Sequence, residues 1–591
     1  MVVNRTFAQR IFGGNALGRR IRYVGRSGDA RPEDVEFARW YEIVGIVSDF
    51  PANPCYSRLR EDQGHPLISD PGDLPVAPRW FGSRRVPIFR RRRLLKLDRP
   101  DQYAILRDVF LRAGYTDTGI LDRIQVSDFP SLRGKDLPML LRRTAGGAPL
   151  DTFIRLFLLE VPCSVASLRE AIRPMELDEW AGAGLIGIHG DEVHAEVRLL
   201  PYGELLVAFD PPSRLATAMK RHYVMGIGDS SLTLANLTVR RPSRRTLDLG
   251  TGCGFHALLA APHSERVVAV DINPRAVEYA RFNARLNELP QVDCLEGDLF
   301  APVRETRFDL IVTNPPFVIS PEAHYIYRDG GLPGDELCRA IVRQAPEFLE
   351  EGGFCQMLCN WGEYDGQDWQ TRLQGWFAGT GCDAWVMQSE SRDAATYAYT
   401  WIRHSERGDG EDIDLQFRNW MEYYERLGIR SVSAGVIVMR RRSAAPNWFR
   451  ADKAPERMIG PCGDAVLLNF RLIDFLESAD DRALLDTRLA ISPHARLERV
   501  CAPSPEGWKD EVTRLCLRSG FAYSGNIDPL AANFLIGCDG TKPLIEVLKK
   551  ISAAAGTQAE EIAPAFCALA RNLLEHGFLI PAHLVILAPP E

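Results

Sequence analysis

Four residues carry the chemistry that this sequence suggests first: Asn314-Pro315-Pro316-Phe317, directly after the apolar run Phe308-Asp-Leu-Ile-Val-Thr313. An aniline-like or amide nitrogen is a poor nucleophile, because its lone pair is delocalised into the ring or the carbonyl. Two acceptors that take its N–H groups pull the nitrogen toward pyramidal geometry and free that pair. The Asn314 side-chain oxygen and the Pro315 carbonyl are the candidate acceptors. Each proline fixes its own φ and disfavours helix at the residue before it. The acceptors are therefore held before a substrate arrives. Phe317 adds a face on which a flat base or amide can stack. The same residues also suit a loop that merely ends a strand, and the segments upstream decide between the two.

Upstream, Asp248-Leu-Gly250-Thr-Gly252-Cys-Gly254 follows a short apolar strand and precedes a helix opening at Phe255. Glycines let backbone approach a ligand closely, and the free N–H groups of the next helix favour negative charge. A second strand, Arg266-Val-Val-Ala-Val, ends at Asp271. An acid about 20 residues past such glycines is placed to accept the hydroxyls of a ribose. Ile272 would then pack on one face of the attached base. Gly297-Asp298 ends a third strand candidate. A dinucleotide fold is the rival reading of the glycines. It needs its third glycine where Phe255 stands, and here that glycine comes one residue early, at Gly254.

This ordered set resembles the class I S-adenosylmethionine (SAM)-dependent methyltransferases, and within them the "small-domain" branch that methylates planar nitrogen. The likeness runs from about Tyr223 to Arg442. It implies SAM as cofactor, held by Asp248, Gly250, Gly252, Gly254, Asp271, Ile272, Asp298 and Leu299. The loop would lie against the methionine carboxylate, Asp298 would accept from the adenine amino group, and the Leu299 N–H would reach the ring. It implies Asn314, Pro315 and Phe317 as the catalytic loop, and no metal. The first reading of the acceptor is an exocyclic amine of a nucleobase, in RNA before DNA. The second is a glutamine side-chain amide of a release factor or ribosomal protein. A SAM-binding protein without turnover is the third. Arg328-Asp-Gly-Gly-Leu-Pro-Gly-Asp335 echoes the glycine-rich segment that follows this loop in release-factor glutamine methyltransferases, departing from it at Pro333 and in the flanking residues.

The elements that must position these residues make an α/β fold: a Rossmann-like seven-stranded methyltransferase sheet over residues 216–443. Flanking α+β modules, winged-helix-like, are expected over 97–215 and 444–591, the latter mainly helical. In the first, strands Glu192–Pro201 and Gly203–Asp210 are expected to pair as a hairpin. An insert before the last strand carries Trp420, Tyr423 and Tyr424, which read as helix core. Residues 67–96 read as a linker, with a basic run at Arg84, Arg85 and Arg90 through Arg93. Residues 1–66 resemble a fragment of the periplasmic core domain of MacB-like ABC-transporter permeases, and read as a fused or vestigial piece without a role in methyl transfer.

Composition bounds the rest. A chain of 591 residues holds several cores. A formal net charge of -7 argues against a generally basic protein that coats nucleic acid. There is no uninterrupted apolar run long enough for a membrane span, and Met1-Val-Val-Asn-Arg lacks the apolar core of a signal peptide. Thirteen cysteines without a Cys-x-x-Cys pair read as reduced core thiols, so a cytoplasmic location is expected.

Overall fold

The computed structural model describes residues 2–4, 20–21, 41–42, 45–47, 95–129, 136–216, 220–322, 325–405, 410–443, 446–505 and 507–585. Met1–Gln63 and Gly64–Glu591 are two separate units. In the first, Val2–Asn4 pairs in parallel with Gly45–Val47, and Arg20–Ile21 pairs antiparallel with Tyr41–Glu42. The rest of the permease-like stretch lies outside the described residues, as do the basic run and nearly all of the expected linker.

The second unit is built on one large sheet. Its strands are β1 (Ser243–Leu249), β2 (Ser264–Asp271), β3 (Val292–Glu296), β4 (Phe308–Thr313), β5 (Leu349–Tyr364), β6 (Cys382–Asp393), β7 (Ile429–Arg441) and β8 (Phe449–Lys453). They lie in the order β3-β2-β1-β4-β5-β7-β6-β8. All neighbours are parallel except β7, which runs against β5 and β6. Seven strands were expected and eight form, because Phe449–Lys453 adds in parallel to the free edge of β6. The near-continuous apolar sequences of β1 and β4 follow from this: a central parallel strand is covered on both faces, and Leu247, Leu310, Ile311 and Val312 are all buried.

Around the sheet run α1 (Asp229–Leu237), α2 (Phe255–Ala260), α3 (Pro274–Leu286), α4 (Glu336–Gln344), α5 (Trp369–Phe377), α6 (Ala394–Ser405) and α7 (Gly410–Leu427). The strand order reverses at β1, between β2 and β4, which is where an open α/β sheet leaves a crevice at the carboxyl ends of its strands. Register places Leu249 beside Thr313 and Asp271 beside Glu296. The loops after β1, β2, β3 and β4 therefore leave the same edge of the sheet.

The module before the sheet docks through two asparagines, Asn283 of α3 and Asn287, which caps its C-terminal end. Asn287 exchanges both amide hydrogen bonds with the backbone of Leu206, and Asn283 does the same with Ala208. Four residues apart on one helix face, the two amides close the free edge of strand Leu205–Phe209 as a neighbouring strand would. Asn283 also donates to the Cys253 carbonyl, so the same side chain holds the glycine loop. The expected hairpin Glu192–Pro201/Gly203–Asp210 is divided differently. Glu192–Ala195 pairs with Ile186–His189, and Arg198–Tyr202 with Leu205–Phe209. The chain changes partner at Glu196-Val197, where Val197 turns into the core and the Glu196 N–H donates to the Leu185 carbonyl.

After the sheet, helix Gly463–Ser478 packs back on it, Val466 and Phe470 joining Leu310, Val312 and Val438 in one apolar cluster. The remainder adds strands to the expected helices. An antiparallel ribbon, Ala495–Ser504 with Gly507–Leu517, stands among helices Pro529–Gly537, Leu544–Ala555 and Ala559–Glu575. Most of its outer residues are exposed, so the ribbon lacks the alternation that marks a half-buried strand in a sequence.

Candidate active site

The glycine loop is shaped by backbone hydrogen bonds and by one buried acid. Gly250 and Thr251 both donate from their N–H to the Val270 carbonyl, which folds the loop over the end of β2. Asp248 is buried, and its Oδ2 accepts from Thr251 Oγ1 at 2.5 Å and from the Ala257 N–H at 2.9 Å. Among the described residues its Oδ1 has no hydrogen-bond partner. Burial pushes this carboxyl up to about 7, against the two hydrogen bonds. Gly254 has φ +89°, and a Cβ there would come within 3.0 Å of the Ala280 backbone, so the third glycine lets α3 pack against the loop. Gly250 and Gly252 also have positive φ, and a Cβ on either would meet open space.

Asp271 ends β2 beside this loop. Its Oδ2 accepts from the Gly252 N–H and its Oδ1 from the Asn273 N–H, each at 2.8 Å. Burial raises its pKa against those two bonds. The predicted ribose acid and the predicted glycine loop are thus joined by a direct hydrogen bond. Ile272, next along, leaves 54% of its surface exposed, so its side chain is available to cover a flat ring. Gly297 donates to the Asp271 carbonyl. Asp298 is exposed, and Leu299 takes φ +45°, a left-handed conformation that a bulky residue adopts only where its surroundings impose it. The loop with room above Gly250 and Gly252, the unpaired buried oxygen of Asp248, the anchored Asp271 and the exposed Ile272 fit the two ends of a SAM-like ligand.

Across the crevice, the Asn314 side chain donates from Nδ2 to Ser230 Oγ at 3.3 Å. Among the described residues its Oδ1 has no hydrogen bond, which leaves the acceptor end available. Pro315 is buried. Phe317 is half-buried and packs against three apolar clusters at once. The open stacking face expected of it is therefore small, and much of its ring serves packing.

The segment after the loop is fastened to distant parts of the chain. The Ile319 N–H donates to the Tyr397 hydroxyl, and the Tyr424 hydroxyl donates to the Ile319 carbonyl. Tyr397 lies on α6 and Tyr424 on α7; Trp420, Tyr423 and Tyr424 are buried, as helix core. Arg328 and Asp329 form a buried ion pair, Nε to Oδ1 at 2.6 Å, and Asp329 accepts in addition from Ser320 Oγ and the Tyr325 N–H. Gly330 sits so close to the Pro316 carbonyl that a Cβ would lie 3.0 Å from it. Asp335 is held by Arg372 and by the Gly362 N–H. Gly331, Leu332 and Pro333, between these two anchors, are exposed. The segment Arg328–Asp335 is thus a rim that backs directly onto the Asn-Pro-Pro-Phe loop.

Every residue predicted for the site lies at this edge of the sheet. Sequence reasoning missed Ser230, Asn273, Tyr397 and Arg372 and read Tyr424 as helix core alone; all five hold it together. Ser230 and Asn273 left local traces, as Gly228-Asp229-Ser230 and Asn273-Pro274, each opening a helix. The tyrosines bond the segment from 78 and 105 residues away and Arg372 from 37, with no local signal.

Residues 227–362 match the methyltransferase small domain family. Two further families, each described as a domain of unknown function, match residues 112–196 and 469–581. The chain is 43% identical over 122 residues to the ribosomal protein uL3 glutamine methyltransferase of Bradyrhizobium diazoefficiens, covering 18% of this chain and 38% of that protein. It is 36% identical over 137 residues to a Methanocaldococcus jannaschii protein named as a candidate protein N5-glutamine methyltransferase, covering 22% of this chain and 68% of the relative. It is 36% identical over 157 residues to the release factor glutamine methyltransferase of Geobacter sulfurreducens, covering 24% and 52%. The chain thus spans less than two thirds of the first and third of these relatives. With a small-domain match over the glycine loop and the Asn-Pro-Pro-Phe loop together, this chain belongs to the methyltransferase family.

Proposed function

We propose that this protein is a SAM-dependent N-methyltransferase whose acceptor is a glutamine side-chain amide of a protein. The observation that carries the nitrogen chemistry is the Asn314 carboxamide, tied by Nδ2 and, among the described residues, free at Oδ1, in a loop whose Pro315 carbonyl would be the second acceptor. When bound, the cofactor supplies a methyl group on sulfonium sulfur, already activated for transfer. Asp271 would hold the ribose and Ile272 the adenine, with Asp298 and the Leu299 N–H at the far side of the ring. Asn314 and Pro315 would draw the two N–H groups of the amide out of plane, raising the nucleophilicity of its nitrogen. The proton lost after transfer passes to water, so no strong base is required.

Three observations favour a protein amide over the nucleobase expected first. The substrates named for the relatives above are a ribosomal protein and a release factor. The glycine-rich segment that echoes the release-factor enzymes packs on the Pro316 carbonyl. The third concerns the N-terminal module, where sheet order Cys163–Ser164, Glu192–Ala195, Ile186–His189 encloses helices Val165–Ala171 and Leu177–Gly182. We read it as winged-helix-like. The second helix of such a unit is the one that would enter a groove, and here it carries Asp178 and Glu179 after Glu176, charges that repel phosphate. The preference for RNA finds no support in the relatives.

The test is transfer of labelled methyl from SAM into a cell extract fractionated as protein, RNA and DNA. Label in the protein fraction is expected. Label confined to RNA or DNA would return the reading to a base.

A further inference from the structure

We infer that Lys220 and Arg221 are specificity-determining residues for the acceptor: they select a protein segment that carries carboxylates beside the target glutamine. The inference rests on the protein-amide reading above. The amide of one glutamine is chemically the same as that of any other. A loop that grips only its two N–H groups cannot tell one protein from another. Discrimination has to come from residues that meet the flanking chain.

The short segment Lys220–Val224 reaches from the cofactor side of the crevice to the acceptor side. On the cofactor side, the His222 carbonyl accepts from Asn273 Nδ2 at 3.1 Å, and the Asn273 N–H holds Asp271. Next along, the Val224 N–H donates to the buried Asp210 Oδ2 at 2.9 Å. On the acceptor side, the Arg221 carbonyl accepts from the Ile326 N–H at 3.4 Å. The rings of Tyr223 and Tyr327 meet edge to face at 5.5 Å, and Lys220 Nζ stands 5.8 Å from the centre of the Tyr325 ring. Ile326 and Tyr327 run directly into Arg328, where the rim that backs onto the Asn-Pro-Pro-Phe loop begins. The segment is thus pinned from both sides, which keeps its side chains beside the acceptor rim.

Two of those side chains are cations without a counter-charge. Lys220 and Arg221 are exposed, and among the described residues neither meets a carboxylate. Arginines elsewhere on the acceptor side are spent: Arg328 on Asp329, Arg372 on Asp335, Arg392 on Glu390. Lys220 faces an aromatic ring, which attracts its charge without neutralising it. The molecule as a whole acts the other way. At a formal net charge of -7 it repels an acidic partner, so attraction is confined to places where cations stand unpaired. Two such cations side by side favour a carboxylate-bearing segment and disfavour a basic one.

The experiment uses the full chain, tritiated-methyl SAM and the protein and RNA fractions of a cell extract as acceptors. Two double variants are compared with the wild type: Lys220→Glu/Arg221→Glu, which reverses both charges, and Lys220→Arg/Arg221→Lys, which keeps them. The reversed variant is expected to need about tenfold more of the protein fraction for half-saturation, because two exposed attractions become repulsions. Its rate at saturating acceptor, its SAM affinity by calorimetry and its melting temperature should stay at wild type. Added salt should raise the half-saturating amount for the wild type and lower it for the reversed variant, since it screens attraction in one and repulsion in the other. The charge-keeping variant should match the wild type. The inference is overturned if charge reversal leaves half-saturation unmoved, if the loss falls on saturating rate or SAM affinity instead, or if salt does not affect it. Label confined to RNA overturns it together with the protein-amide reading, the two cations then facing phosphates. Label in protein with an unmoved half-saturation overturns it alone.

Discussion

The two walls of the crevice are held by different means. On the cofactor side, the glycine loop, Asp271 and Asp298 lie within about 50 residues of one another. They are fixed by their own backbone: Gly252 to Asp271, Gly297 to the Asp271 carbonyl, Thr251 and Ala257 to Asp248. On the acceptor side, each anchor of the loop comes from elsewhere: Ser230 from α1, Tyr397 from α6, Tyr424 from α7, and Arg372 of α5 for the rim. A ligand common to many enzymes can be held by a short local device. A particular acceptor needs a surface assembled from several elements, and this is where one family member can differ from another.

If the walls are separable, damage to one should spare the other. The largest effect is expected from Arg328→Met, which removes the guanidinium from its buried pair with Asp329. Removing one partner of a buried pair typically costs about 3–5 kcal/mol. Thermal or denaturant unfolding should show a loss of that order, while the fraction still folded binds SAM with wild-type affinity. An equal loss of SAM affinity in the folded fraction would mean the walls are coupled. Asn314→Ala comes next. Loss of one preorganised donor or acceptor to the transition state costs about 10²–10³ in rate, and SAM affinity should not change, as single-turnover kinetics and calorimetry can show together.

Asp271→Ala strikes the other wall. Hydrogen bonds to a charged group are worth about 1.5–3 kcal/mol, so at least a tenfold loss of SAM affinity is expected by calorimetry. Affinity that survives the change would remove Asp271 from the site. The smallest effect is expected from deleting residues 1–66: methyl transfer and melting of the remainder should match the full chain. An insoluble or inactive product would give that segment a role.

The same contrast explains what could be read in the sequence. Gly254, Asp271 and Asn314 were legible because each meets a local demand: a left-handed turn against α3, an acid at a strand end, a stiff loop after a buried strand. The parallel strands were legible as apolar runs. Ser230, Tyr397 and Arg372 were not, because their partners are set by tertiary packing, and a serine opening a helix reads as ordinary helix chemistry. Phe317 was over-read: an aromatic beside an amide suggests stacking, and only its contacts with three clusters reveal how much of the ring is spent on packing. The eighth strand and the ribbon after Ala495 were missed for a simpler reason. Phe449-Arg-Ala-Asp-Lys453 is a short edge strand with polar residues, and the ribbon is largely exposed, so neither shows the alternation that betrays a strand.

The central claim is that the methyl group goes to a side-chain amide nitrogen, and the chemical form of the transferred label tests it most directly. Protein labelled with tritiated methyl from SAM is hydrolysed in strong acid. An N-methylated glutamine amide then breaks to glutamate and methylamine. The account predicts that wild-type enzyme yields labelled methylamine, volatile once the hydrolysate is made alkaline, from the protein fraction and that Asn314→Ala yields almost none. Label that stays on a nucleobase, or on a protein residue that acid does not cleave to methylamine, would contradict it.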